Sequence, residues 1–310
     1  MINFSIIIPH YDTPQLLERC LKSIPERKDI QVIVVDDHSP GVEDYLSLYP
    51  ILRKNNVLFI TLSEIGGAGH ARNVGLSKAM GKWLLFADSD DFFVDEMPAL
   101  IDENVDNVAD IVFFRKRSVL SSDISLVVKR SSWQEDIFND YLTTGQEDSM
   151  RCNFPAPWAK MIRRDMVEKY HIRFDEVRYS NDYYFSVMCG CRADKIAVVN
   201  KVLYVVTVRE ASLSAGFCTK PGELEIRAGV CFRVQKLICE SGYKLSEEPF
   251  KMYLWLLFLH NKQKYGYYFR RLSQIHWNRC YAFSQLSSLL NRKAMIKCVL
   301  YSYWCLMREK

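Results

Sequence analysis

The chain of 310 residues has little of what marks irregular or fibrous structure: 13 glycines and 10 prolines. With 49% hydrophobic and 25% charged residues, that scarcity excludes collagen-like, low-complexity and intrinsically disordered classes. No apolar run approaches the roughly 20 residues a membrane-spanning helix needs; the longest strongly apolar stretch is Met252 to Leu259. The opening Met1-Ile2-Asn3-Phe4-Ser5-Ile6-Ile7-Ile8-Pro9 has no basic n-region and no small-residue cleavage site, which points away from export. Ten cysteines are present without a CxxC pair, and Cys189 with Cys191 lacks the second pair that a zinc site needs. Reduced thiols in a cytoplasmic protein are the expectation. The length suits one large α/β domain or a core domain with an appendage. The net charge of +4 conceals two unlike parts: residues 1–250 hold 30 Lys and Arg against 36 Asp and Glu, and residues 251–310 hold 11 against one.

The first hundred residues alternate strand and helix signals. Phe4 to Ile8 is a β-branched apolar run stopped by Pro9, and Leu16, Leu17, Cys20, Leu21 and Ile24 then recur at helical spacing. Gln31 to Val35, Val57 to Ile60 and Trp83 to Ala87 read as further strands; a loop with Gly66, Gly67 and Gly69 precedes a helix carrying Ala71, Val74, Leu76 and Ala79. Runs without polar alternation, separated by helices, predict a Rossmann-like, mostly parallel sheet covered on both faces, with ligands outside the carboxyl ends of its strands. Ile111 to Phe114 reads as another strand and Ser125 to Lys129 as a weaker one. From Pro221 onward a helical period takes over. The expected division is a catalytic domain over 1–220 and a helical, basic and aromatic region over 221–310.

Polar groups collect at the strand ends. Asp88-Ser89-Asp90-Asp91 offers hard oxygen donors of the kind Mg²⁺ or Mn²⁺ takes while holding phosphates, or is a solvated acidic loop. Gly67-Ala68-Gly69 begins like a dinucleotide fingerprint, but its third small position is Arg72 and it follows the third strand, so that reading is rejected. Arg72 at a helix start suits a pyrophosphate; the alternative is that it pairs with a nearby acid.

Ser5-Ile6-Ile7-Ile8-Pro9-His10-Tyr11-Asp12, Val34-Val35-Asp36-Asp37-His38-Ser39, Ala71-Arg72-Asn73-Val74-Gly75-Leu76 through Gly81 and Phe86-Ala87-Asp88-Ser89-Asp90-Asp91 together resemble the family 2 glycosyltransferases of the GT-A fold. The likeness continues more loosely through Trp158-Ala159-Lys160, Ile172-Arg173-Phe174, Asn181-Asp182 and Leu203-Tyr204, covering about residues 1 to 215. The resemblance implies an inverting transfer from a nucleoside diphosphate sugar, UDP-linked, to a saccharide or lipid-linked glycan. It implies Pro9, Tyr11 and Asp37 as the base pocket, Asp88 near the ribose, Asp90 on the Mn²⁺ or Mg²⁺, Arg72 on the diphosphate or donor sugar, Trp158 against substrate and Asp182 as general base. Asp182 also reads as a helix-start acid stabilised by the dipole. His10 and Asp12 replace the family's usual Thr or Ser and Asn, and Asn181 replaces the Glu that usually precedes the base. Tyr183 to Leu213 contains no histidine, so no histidine metal ligand is expected there.

The tail interleaves its basic residues with aromatics such as Tyr253, Trp255, Tyr267, Tyr268 and Trp277. That composition fits a helix lying on an anionic membrane surface, here the inner face of the cell membrane, and equally a core or homo-oligomer interface with a charged rim. No nucleic-acid-binding module accompanies it, so nucleic acid is not an expected partner. Two rival functions stand beside transfer: a nucleotidyltransferase that makes the activated sugar, and a non-catalytic scaffold of the same fold.

Overall fold

The computed structural model describes residues 1–130, 132–209, 221–243 and 249–275. They divide into two compact units, 1–209 and 210–310. In the first, β1 (Phe4–His10), α1 (Pro14–Lys22), β2 (Ile30–Asp36), α2 (Tyr45–Leu48), β3 (Val57–Thr61), α3 (Gly67–Lys78) and β4 (Trp83–Phe86) follow in order. Then come β5 (Phe92–Phe93), α4 (Met97–Glu103), β6 (Ile111–Leu120), α5 (Ser132–Thr144), α6 (Asp148–Cys152), β7 (Lys160–Arg163), α7 (Arg164–Lys169), α8 (Tyr183–Arg192) and β8 (Ile196–Val208).

The eight strands form one sheet in the order β3-β2-β1-β4-β7-β6-β8-β5. The pairs β1–β2, β2–β3, β1–β4 and β6–β8 are parallel, and β7 runs antiparallel between β4 and β6. The unbroken apolar runs have a direct cause. Ile6, Ile8, Val32 and Val34 enter the core on one side of the sheet, while Ile7, Ile33 and Val35 enter the core on the other. With both faces covered, no position of β1, β2 or β4 is left for water. The α1 helix opens on Pro14, whose missing N–H costs nothing at a first turn, and turns Leu17, Cys20 and Leu21 inward.

Two expectations need correction. Ser125 to Lys129 is not a strand; Val127 makes a single antiparallel bridge to Val119. The Asp123 carboxylate draws in the Ser125 N–H (3.0 Å) and hydroxyl (2.6 Å), folding the chain into a turn where extension was expected. Gly67 and Gly69 lie inside the first turn of α3 instead of a preceding loop. Gly67 takes a φ of +83°, open to glycine without strain. A Cβ on Gly69 would lie 2.0 Å from the Asp175 carbonyl oxygen, so glycine here lets α3 touch the segment leading to Asn181 and Asp182.

In the second unit, α9 (Pro221–Glu240), α10 (Pro249–His260) and α11 (Lys262–Ile275) bury Leu224, Val234, Tyr253, Leu254 and Leu257. Tyr253 is therefore a core residue. No described helix is long and apolar enough to cross a membrane. Residues 276–310, which carry much of the basic and aromatic tail, lie outside the described residues.

Candidate active site

Strands β1 and β2 end side by side, with His10 paired to Asp36 in the register. The Thr13 backbone N–H donates to His10 Nε2 at 3.1 Å, so that nitrogen offers a lone pair and the network assigns the imidazole proton to Nδ1. Nδ1 then donates to Asp36 Oδ2 at 2.7 Å. Asp36 also accepts the Ser39 N–H (2.8 Å) and hydroxyl (2.7 Å). Burial pushes the Asp36 carboxyl up, but these hydrogen bonds prevail and leave it below its ordinary value. Of the two aspartates at this strand end, Asp36 thus fastens the turn.

Asp37 faces the other way. Its Oδ1 and Oδ2 accept the N–H groups of Gly66 and Gly67, each at 2.8 Å. Donors at the start of α3 that could serve a phosphate thus meet a carboxylate of the chain itself. Pro9 is buried within β1, and Tyr11, just beyond it, is 46% exposed.

Arg72, on α3, reaches two other elements. Nη2 donates to Asp88 Oδ1 at 2.6 Å and Nη1 to Asn181 Oδ1 at 2.9 Å, and the guanidinium lies 5.4 Å from the centre of the Phe174 ring. The pairing of Arg72 with a nearby acid is therefore realised, and the same side chain ties the end of β4 to the residue before Asp182. Asn73 completes the attachment: its Nδ2 donates to the Phe174 carbonyl (3.0 Å) and its Oδ1 accepts the Phe174 N–H (2.9 Å). Asp182 precedes the first turn of α8, and its carboxylate makes no capping hydrogen bond there. Burial, opposed by Arg72 and reinforced by Asp88, raises its carboxyl above the ordinary value.

The turn after β4 is fixed from behind. The Asp90 carbonyl accepts Arg19 Nη2 (2.5 Å) and the Thr207 hydroxyl (2.7 Å); Asp91 accepts the Thr207 N–H (2.7 Å). The Tyr204 hydroxyl accepts the Asp88 N–H at 2.8 Å. Burial, then the charges of Asp90 and Asp88, push the Asp91 carboxyl well above the usual range. Asp91 is thus a structural acid joining β4 to β8. The Asp90 carboxylate, by contrast, points to Arg209, whose Nη2 lies 2.7 Å from Oδ2.

Asp88 and Asp90 suit a divalent cation. Both are hard oxygen donors, and burial followed by the charge of Asp88 raises the Asp90 carboxyl, a crowding of negative charge that a cation would relieve. Among the described residues no group of three or more His, Cys, Asp or Glu converges on one point. A cation here would complete its shell with phosphate oxygens and water, as Mg²⁺ commonly does.

Two residues of the Trp158-Ala159-Lys160 stretch face this region from β7 and the loop before it. Trp158 stacks on Tyr204 with ring centres 5.4 Å apart and planes 12° apart. Lys160 is buried, donates to the Phe154 carbonyl at 2.8 Å and lies 4.8 Å from the Phe154 ring centre and 5.1 Å from that of Phe113. Burial pushes its ammonium down to about 7, with Cys189 and Asp182 pulling the other way. Lys160, Asn73 and Tyr204 stood within motifs already visible in the sequence, without a role. Thr207 and Arg209 carried no local signal, because their partners lie more than a hundred residues earlier.

Residues 5–171 match the family model described as Glycosyl transferase family 2. Glycosyltransferase GlyA of Streptococcus pneumoniae serotype 4 is 27% identical over 220 residues, which cover 68% of this chain and 31% of GlyA. The chain thus spans under a third of that relative's length. Among solved structures, residues 1–349 of Staphylococcus aureus TarS in complex with UDP-GlcNAc match with a TM-score of 0.57 at 24% identity, over 81% of this chain and 70% of that one. Mannosyltransferase PcManGT from Pyrobaculum calidifontis, in complex with GDP-Man and Mn²⁺, matches with a TM-score of 0.50 at 16% identity, over 99% of this chain and 84% of that one. These likenesses bear out the expected GT-A architecture.

Proposed function

Because the chain belongs to glycosyl transferase family 2, we propose that it moves a sugar from a UDP-linked donor to a saccharide hydroxyl with inversion at the anomeric carbon. One observation carries the reading. Arg72 holds Asp88 with one nitrogen and Asn181 with the other, so Asp88 and the residue next to Asp182 belong to one hydrogen-bonded assembly. In this assembly Asp182 takes the proton of the acceptor hydroxyl while that oxygen attacks the anomeric carbon and the bond to the diphosphate breaks. A carboxyl raised by burial is a stronger base than an exposed aspartate, which suits it to take a proton from the acceptor. Asp37, Tyr11 and Pro9 are the candidates for the base pocket. Asp90 would hold Mn²⁺ or Mg²⁺ with Asp88 beside it, and the cation would offset charge on the departing nucleoside diphosphate. UDP as the nucleotide is supported by the UDP-GlcNAc held by TarS. The acceptor class we favour is a saccharide or lipid-linked glycan; Lys262, Arg270 and Arg271 of α11 supply positive charge for an anionic membrane surface.

The deciding experiment uses Asp182→Asn with UDP-sugar donors and supplied metal. Turnover should fall by about 10²–10⁴-fold while UDP affinity is unchanged. Undiminished turnover would remove Asp182 from the role.

A further inference from the structure

Two of the three aspartates at the end of β4, Asp88 and Asp90, are each neutralised by an arginine. Arg72 Nη2 stands 2.6 Å from Asp88 Oδ1, and Arg209 Nη2 stands 2.7 Å from Asp90 Oδ2. Two guanidinium charges thus supply what one divalent cation would. The two pairs are unequal. The Arg72 side chain is 7% exposed, bound also to Asn181 and packed on Phe174, whereas the Arg209 side chain is 36% exposed and has Asp90 as its hydrogen-bond partner among the described residues. The turn itself cannot retreat, because Arg19 and Thr207 hold the Asp90 carbonyl from behind. A dication bonded to Asp90 with Arg209 still in contact would gather three positive charges around one partly buried carboxylate, an arrangement water screens poorly.

We propose that Arg209 is the resident counter-ion of Asp90 and that cation binding displaces it, so that metal loading and release of the Arg209 side chain are a single linked event. The inference rests on the metal-binding part of the proposed function. Arg209 is then a positioning residue that sets how readily the site takes its cation, and the residue free to move is identified by its exposure and its single partner among the described residues. It also follows that the cation binds best together with the nucleotide, whose phosphate oxygens help to offset the loss of the ion pair.

The test titrates Mn²⁺ into the full chain, with and without UDP, and reads free Mn²⁺ by electron paramagnetic resonance. Arg209→Gln should bind Mn²⁺ about tenfold tighter than the unaltered protein, a coupling of ordinary size for linked binding events, and Arg209→Lys should fall between them. The gain should persist in about 0.5 M KCl, where screening leaves contact pairs but suppresses effects acting over longer distances. Equal or weaker Mn²⁺ binding by Arg209→Gln, or a gain that vanishes at high salt, overturns the displacement. If the unaltered protein binds Mn²⁺ with UDP and the variant gains nothing, the displacement fails while the metal reading stands. If neither binds Mn²⁺ and donor turnover proceeds in EDTA, both fail.

Discussion

Replacing Lys160 by methionine tests whether a buried cation beside the candidate base is a cost that the fold bears. The ammonium is enclosed by Phe113 and Phe154, and burial lowers its pKa from 10.5 to about 7. The unfolded chain therefore holds this proton up to about pH 10.5, whereas the folded chain gives it up near pH 7. Between those values the unfolded state binds more protons, so stability attributable to this group rises with pH, by at most about 1.4 kcal/mol per pH unit. Linkage across that interval puts the penalty at about 4–5 kcal/mol near pH 6–7 and about 3 kcal/mol at pH 8.5. The Lys160→Met variant would carry no such penalty, although it leaves the Phe154 carbonyl without its donor, at a pH-independent cost of about 1–3 kcal/mol. The stability difference between the two proteins, from urea unfolding at several pH values, should thus change by about 2 kcal/mol between pH 6 and pH 8.5, with the unaltered protein gaining as pH rises. Taking the difference cancels the titration of every group that does not interact with Lys160; Asp182 and Cys189 do. A difference flat across that range would show that Lys160 is not held near neutrality and would refute the electrostatic account of its pocket.

Asp36→Ala strips His10 and Ser39 of their shared acceptor, leaving the His10 Nδ1–H and the Ser39 N–H and hydroxyl without it at about 1–3 kcal/mol each. For a unit of this size that lowers the melting temperature by on the order of 10 °C, measurable by calorimetry; a shift of only about 1 or 2 °C would mean the network is dispensable. Gly69→Ala places a methyl group 2.0 Å from the Asp175 carbonyl, so α3 and the segment before Asp182 must separate. Transfer should drop at least tenfold with UDP affinity less affected, and a fully active variant would show that the close approach does not position the base.

Much of the sheet was legible because its central strands are buried on both faces and so spell themselves as uninterrupted apolar runs. The strand β7 was not, since Lys160–Arg163 is four residues long, begins on a cation whose burial only tertiary structure explains and ends on a second, half-buried one. The acids after β4 were legible as a group but not as individuals. Nothing local separates Asp90, turned toward a cation, from Asp91, spent on Thr207; the distinction is made by β8 from the far side of the sequence. The same holds at the end of β2, where Asp36 and Asp37 look equivalent until His10 and Ser39 take one and the start of α3 takes the other.

The fastening of the Asp88–Asp91 turn by Tyr204 and Thr207 also sets a timetable. During synthesis the turn emerges more than one hundred residues before the strand that secures it. At roughly 5–20 residues per second, that leaves Asp90 and Asp91 without the partners of their carboxylates, Arg209 and Thr207, for on the order of ten seconds. The β1–β2–β3–β4 half of the sheet can pair during that interval, because its contacts are already made. The carboxylate Asp91 cannot be buried until Thr207 arrives. Nascent chains halted before residue 204 should accordingly hold the β1–β4 half of the sheet with an unformed donor site, and the site should appear as one of the last events of folding in this unit, however early its motifs stand in the chain.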